Sequence, residues 1–301
     1  MKVTLYLMSQ KGLSVLKALI EKNFCSLISE IIVGRDKNVE NDFADEITLL
    51  CNQNNIKYYG RNDKYKVQSN YSIAISWRWL IPDSKSKLIV LHDSILPRYR
   101  GFAPLVNMLI NKEKEIGVSA IFASKEYDKG DIIFQSSTKV TYPINILEAI
   151  NLISKNYIDL VIRIFDTLVN GKELNSVRQN EEFASYSLWR NEDDYLINWI
   201  DDSNYILNFI SAVSFPYKGA ATFIDGLQKI RILEAELESD VRIENRDVGK
   251  VIFTKDKYPV IVCGKGLIKL KKVIDDKTQD NLLPFKNFRI RLTGYNQHFL
   301  K

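Results

Sequence analysis

The run Leu88-Ile-Val-Leu91 ends abruptly on His92-Asp-Ser94, and that break constrains the chain more than any other feature. A short apolar run bounded by polar residues reads as a fully buried strand of a parallel sheet. In open α/β sheets, ligands bind at the carboxyl ends of such strands. His92 thus stands where chemistry is done, or is a buried structural histidine with both nitrogens satisfied. The other histidine, His298, lies three residues from the C-terminus, where order is usually poor. Any imidazole acid or base is therefore His92. Pro97 and Gly101 then shape a loop carrying Arg98 and Arg100. These are planar cations suited to phosphate or carboxylate, or else a solvated face.

Around that run, strands and helices alternate. Lys2–Met8, Leu27–Val33, Ile56–Tyr59 and Ile73–Ile75 read as strands, Gly12–Asn23 and Phe43–Asn54 as helices. This spacing predicts βαβ units. Beyond it come a helix at Ala103–Asn111 and strands at Gly117–Ala123 and Asp131–Val140. Apolar residues at helical spacing predict one long helix over Ile146–Val169, capped by Asn170-Gly171. A first domain over 1–171 follows. Residues 172–202, polar and irregular, read as a linker. Residues 203–301 form a second, β-rich domain. It opens with a helix at Ser203–Val213, followed by short strands at Gly219–Phe223, Gln228–Leu237, Gly249–Phe253, Pro259–Val262 and Leu267–Val273. Their spacing suggests a small barrel or sandwich. The expected class is α/β: a mostly parallel, Rossmann-like sheet followed by a small β-rich domain.

Composition narrows the function. The chain is 46% hydrophobic and 26% charged, as in ordinary soluble proteins. No apolar run approaches the roughly 20 residues of a membrane span. The apolar start Met1–Met8 is too short for a secretory leader and is interrupted by Ser9-Gln-Lys-Gly12. A cytoplasmic protein without membrane association is expected. Cys25, Cys51 and Cys263 lack ligand spacing, so neither a metal site nor a disulfide framework is expected. The absence of GxGxxG and Walker loops argues against standard dinucleotide and P-loop enzymes. A net charge of +5 suits a phosphorylated substrate and is too mild to argue for nucleic acid.

Four pieces fall at the predicted carboxyl edge. His92 is the first and Asp128, in Tyr127-Asp-Lys-Gly-Asp-Ile132, the second. A carboxylate beside an imidazole orients its tautomer and stabilises its cation, although Asp-x-Gly-Asp also favours a plain turn. The third is Ser76–Pro82, whose aromatic residues suit a flat heterocycle or simply cover the sheet edge. The arginine loop is the fourth.

His92-Asp-Ser-Ile-Leu-Pro-Arg-Tyr-Arg-Gly101 and Asp128-Lys-Gly-Asp131 together resemble the hallmarks of the 10-formyltetrahydrofolate-dependent formyltransferases. That family includes methionyl-tRNA formyltransferase and the nucleotide-sugar N-formyltransferases. Leu80-Ile-Pro82 is similar to the segment that holds the pterin. Arg190–Trp199 and Phe215-Pro-Tyr-Lys-Gly-Ala220 are similar to the linker and barrel entry of two-domain members, which implies an OB-like barrel. The resemblance implies 10-formyltetrahydrofolate as co-substrate, no metal, and attack of an acceptor amine on the formyl carbon. His92 would handle the amine's proton and Asp128 would keep the imidazole poised. Trp79, Leu80, Ile81, Tyr127 and Gly130 would hold the cofactor; Ser94, Arg98, Arg100 and Gly101 would face the substrate. One position departs: Val90 stands where the family usually has an asparagine that holds the formyl oxygen. Loss of one such donor typically costs roughly 10²–10³ in rate. Asn107 and Ser94 are the substitutes the sequence offers.

The expected acceptor is a nucleotide-linked amino sugar. Methionyl-tRNA is the alternative, disfavoured because Gly34–Glu46 is net acidic and the C-terminal charges are mixed. A catalytically impaired folate-binding protein, suggested by Val90, is the third reading. A homodimer is compatible with all three.

Overall fold

Val3–Leu7, Ile28–Val33 and Tyr71–Ile75 are built almost wholly of buried residues, as strands covered on both faces must be. The computed structural model describes residues 1–36, 39, 41–81 and 85–294. Pro82 of the expected heterocycle loop and His298 lie outside them.

The first compact unit comprises residues 1–105, 114–140 and 148–188. Its strands are β1 (Val3–Leu7), β2 (Ile28–Val33), β3 (Tyr58–Gly60), β4 (Tyr71–Ile75), β5 (Lys87–His92), a short β6 (Arg100–Gly101), β7 (Glu115–Phe122), β8 (Ile132–Lys139) and β9 (Tyr186–Ser187). The helices are α1 (Ser9–Glu21), α2 (Ala44–Gln53), α3 (Pro104–Ile110) and α4 (Ile146–Val169). α3 and α4 each run partly into the second unit. The main sheet has the order β3-β2-β1-β4-β5-β7-β8. β1 to β5 are parallel, whereas β7 and β8 add an antiparallel edge. The order reverses between β1 and β4, the crevice where doubly wound sheets bind ligands. One register row crosses the sheet as Ile32, Tyr6, Ala74 and Val90. This row is packed by Tyr59, Tyr65, Val67, Trp77 and Ile81.

α4 occupies the 146–169 span that its apolar period predicts. β5 runs one residue further than the apolar run suggested, because His92 pairs antiparallel with Ser119 of β7. His92 is therefore the last strand residue and not the first loop residue. The stretch expected as a linker is divided differently. Residues 172–188 belong to the first unit, and there β9 pairs parallel with β6. Polar composition made it look like free loop; its backbone is in fact tied by strand pairing.

The second unit holds residues 106–113, 141–147 and 189–301. Its strands are β10 (Ala220–Ile224), β11 (Gln228–Glu238), β12 (Val251–Lys255), β13 (Tyr258–Val262), β14 (Leu267–Asp275) and β15 (Leu292–Thr293), with α5 over Ser203–Val213. They form one curled, antiparallel sheet in the order β12-β13-β14-β11-β10-β15. This is the β-rich second domain expected from the strand spacing, built as a half-barrel where a small barrel or sandwich was expected. Asp202 caps α5 by accepting a bond from the Asn204 amide at 2.8 Å. Gly264 lies so close to the Ile200 carbonyl that a Cβ would stand 1.7 Å from its oxygen. Cys51 and Cys263 are buried, and burial pushes both thiols up to about 12.

Candidate active site

His92 is buried at the end of β5, and both of its ring nitrogens face acceptors. Nε2 lies 2.8 Å from the Tyr99 carbonyl oxygen. A carbonyl can only accept, so Nε2 carries a proton. Nδ1 stands 3.4 Å from Oδ1 of Asp128. In the neutral ring its lone pair faces that carboxylate; a second proton would turn the contact into an ion pair.

The Asp128 turn brings the carboxylate there. Asp128 has φ 56°, in the left-handed region that residues other than glycine seldom visit. Its Oδ2 accepts a hydrogen bond from the Gly101 N–H at 2.8 Å. Gly101 has φ 98°, and a Cβ there would stand 2.6 Å from the Ser187 carbonyl oxygen. Gly130 is equally constrained: its Cβ would lie 1.6 Å from the Phe122 carbonyl oxygen. Gly101 thus lets the histidine loop lie against β9, and Gly130 lets the aspartate turn fold back on the end of β7.

Of the remaining residues expected at the substrate, two are placed inside the protein. Arg100 is fully buried. Its guanidinium donates to Oε1 of Gln179 at 3.1 and 2.8 Å and pairs with Glu181 at 2.8 and 2.9 Å. The expectation that Arg100 faces substrate is corrected: a planar fork whose donors are taken by Gln179, Glu181 and the Tyr186 hydroxyl braces the loop. Ser94 is likewise buried, with its hydroxyl donating to the Arg98 carbonyl at 2.7 Å. It closes the turn instead of facing ligand. Arg98 is exposed, its guanidinium 5.2 Å from the Tyr99 ring centroid.

The residues expected at the cofactor form a more open group. Leu80 and Tyr127 are 81% and 70% exposed. Ile81 is half-buried and packs, like Val90, against the cluster of Tyr6, Ile32 and Ala74. Trp79 packs edge-on against Trp77, with Arg61 4.4 Å over its ring. Trp77 Nε1 is buried and has no hydrogen-bond partner among the described residues. Val90 lies among apolar side chains and offers no donor. Asn107, one substitute read from the sequence, accepts from Arg190 at 2.9 Å.

Sequence reasoning missed several residues that shape this edge. Ser119 donates to the Ser94 carbonyl at 2.7 Å and accepts from the Leu96 amide at 3.0 Å and from Gln135 at 2.8 Å. A lone serine in an otherwise apolar strand was the available signal, since buried hydroxyls need partners. Gln179 gave no such signal, because its surroundings in the chain are polar. Lys11, in the first turn of α1, forms a buried ion pair with Asp93, which also accepts from the Tyr157 hydroxyl.

Known proteins match both halves of the chain. Residues 62–150 match the family described as Formyl transferase, and residues 191–283 match Formyl transferase, C-terminal domain. A methionyl-tRNA formyltransferase of Syntrophomonas wolfei subsp. wolfei is 29% identical over 231 residues, 75% of this chain and 71% of that protein. Another, from Streptococcus pyogenes serotype M6, is 30% identical over 194 residues; the match spans 64% of this chain and only 59% of that relative. Among solved structures, the N-formyltransferase of Helicobacter canadensis, in complex with folinic acid and dTDP-3-aminofucose, shares the fold. It has a TM-score of 0.66 at 18% identity, over 90% of this chain and 99% of that one. The two family matches cover more than half of the sequence, and the chain belongs to the formyl transferase family.

Proposed function

We propose that this chain transfers a formyl group from 10-formyltetrahydrofolate to the amine of a nucleotide-linked amino sugar. The observation that carries the chemistry is the Asp128–His92 contact at the carboxyl edge of a doubly wound sheet. The Nε2 proton is committed to Tyr99 and the Nδ1 lone pair faces Asp128, so the proton of the attacking amine would reach Nδ1 by way of the Asp128 carboxylate or a water. Asp128 then stabilises the cation that results. The co-substrate supplies the formyl carbon. Trp79, Leu80 and Ile81, with Tyr127 and Gly130, would hold its pterin; the exposed Leu80 and the unpartnered Trp77 indole N–H suit a flat, polar-edged ring. Arg98 and the loop backbone at Gly101 are the groups on this edge that would meet the acceptor.

The choice of acceptor rests on charge. In the second unit, several cations are matched by carboxylates: Lys269 with Glu236 at 2.5 Å, Lys255 with Glu238 at 3.0 Å, and Lys229 with Glu192 at 2.7 Å. Arg246 pairs with Asp240, and Arg231 with Glu192 and Asp276. Cations paired in this way are less available to a polyanion, which favours a small acceptor. The Helicobacter canadensis neighbour, whose complex holds an amino sugar linked to dTDP, is consistent with this reading. Methionyl-tRNA is the second reading, favoured by what the curated relatives are named for.

The test is tetrahydrofolate release from 10-formyltetrahydrofolate with a panel of nucleotide-linked amino sugars. Turnover with one sugar is expected, falling about 10²–10⁴-fold in His92→Ala. Turnover with methionyl-tRNA alone would establish the second reading. Folate binding without turnover on either acceptor would mark a chain that has lost the reaction.

A further inference from the structure

We propose that Gln179 is a positioning residue for formyl transfer: its amide ties the Asp128 turn to the histidine loop and so sets the Asp128–His92 contact. The inference rests on the roles given to His92 and Asp128 above. Gln179 Nε2 donates to the carbonyls of Asp128 at 2.7 Å and Gly130 at 2.8 Å. Its Oε1 accepts from Nε and Nη2 of Arg100 at 3.1 and 2.8 Å. Both donors and both lone pairs are used, so the amide has one orientation and cannot turn without losing four bonds.

These bonds complete a ring. Arg100 precedes Gly101, whose N–H binds the Asp128 carboxylate at 2.8 Å. Gln179 returns from Arg100 to the Asp128 carbonyl. The left-handed backbone of Asp128 is a conformation that neighbours must hold in place, and Gln179 holds it at the residue's own carbonyl. Gln179 is 4% exposed, so solvent has little access to replace these bonds.

The charged groups around His92 are Asp128 at Nδ1, Asp93 next in the chain with its partner Lys11, and Arg100 with its partner Glu181. Gln179 is neutral. A change at the imidazole after its substitution therefore reports the positions of the groups around it, not a charge carried by Gln179 itself.

The experiment uses the full chain, ¹⁵N-labelled, with His298→Ala so that one imidazole remains. The Nδ1 and Nε2 shifts of His92 are read at a single neutral pH in wild type, Asp128→Asn, Gln179→Met and the more conservative Gln179→Asn. Both Gln179 variants should move the Nδ1 signal in the direction that Asp128→Asn moves it. In the assay above, they should lower kcat by about 10²-fold, the penalty of an ångström-scale misplacement. A folded variant whose Nδ1 signal matches wild type overturns the proposal, and so does a loss confined to melting temperature. If His92→Ala keeps full turnover, the reading of the reaction fails, while the Nδ1 signal still decides whether Gln179 sets the contact.

Discussion

Asp93 follows His92 directly, yet it serves different partners. Burial works to raise its carboxyl, but the Lys11 ammonium and the Tyr157 hydroxyl outweigh burial and hold it below the usual carboxylate range. The same burial, with the Asp93 charge, pushes the Tyr157 phenol well above its ordinary value. Removing one member of a buried pair leaves an uncompensated charge, so Lys11→Met should cost roughly 3–5 kcal/mol in urea denaturation. The pH dependence has a definite sign. A carboxyl lowered in the folded state contributes its full stability above the unfolded value, near 3.9. That contribution is lost as pH falls through the lower folded value. Unfolding midpoints measured on acidification should therefore fall less steeply in Asp93→Asn than in wild type. His92, Asp128 and Gly130 were legible as residue types at a recognisable spacing. Arg100 was legible only as a cation. Its burial depends on Gln179 and Glu181, which lie far along the chain in a stretch of no marked pattern.

At the scale of elements, the pairing of β6 with β9 decides the shape of the site. Arg100 and Gly101 pair with Tyr186 and Ser187, and the Phe102 amide adds a bond to the Ser187 carbonyl at 3.0 Å. A two-residue parallel pair has little stability of its own, so side chains must hold it. Arg100 does so through Gln179 and Glu181. Arg100→Met leaves the buried Gln179 oxygen without donors and should cost roughly 1–3 kcal/mol. Limited proteolysis should then cut within residues 177–188 faster than in wild type; an unchanged cleavage rate would count against the brace. α4 and α5 were legible to the residue because their apolar periods are long and unbroken. β9 was not legible, since two residues carry no period.

For the whole molecule, net charge says less than pairing. The formal +5 was too mild to argue for nucleic acid, and many of the second unit's cations are spent on neighbouring carboxylates. Binding to unacylated tRNA should therefore be no tighter than the non-specific range of about 10⁻⁴–10⁻⁶ M, with a shallow dependence on salt. Nanomolar binding with a steep salt slope in a filter assay would return methionyl-tRNA to first place. Among the described residues, no helix is long and apolar enough to cross a membrane.

Local pattern alone specified the alternation of strands and helices, the long helix, the β-rich second half and the histidine at a strand end. These properties are written in hydrophobic period and turn chemistry, which act over a few residues. Tertiary structure decided which polar groups meet. The same arginine is a ligand-facing cation or a buried brace depending on what folds over it, and residues 172–188 supply that cover from a stretch that reads as linker. The pairing of His92 with Asp128 lay between the two. The residue types were visible in the chain, but the 3.4 Å contact is framed by the Gly101 N–H, which holds the Asp128 carboxylate, and by Gln179, which ties the turn to Arg100.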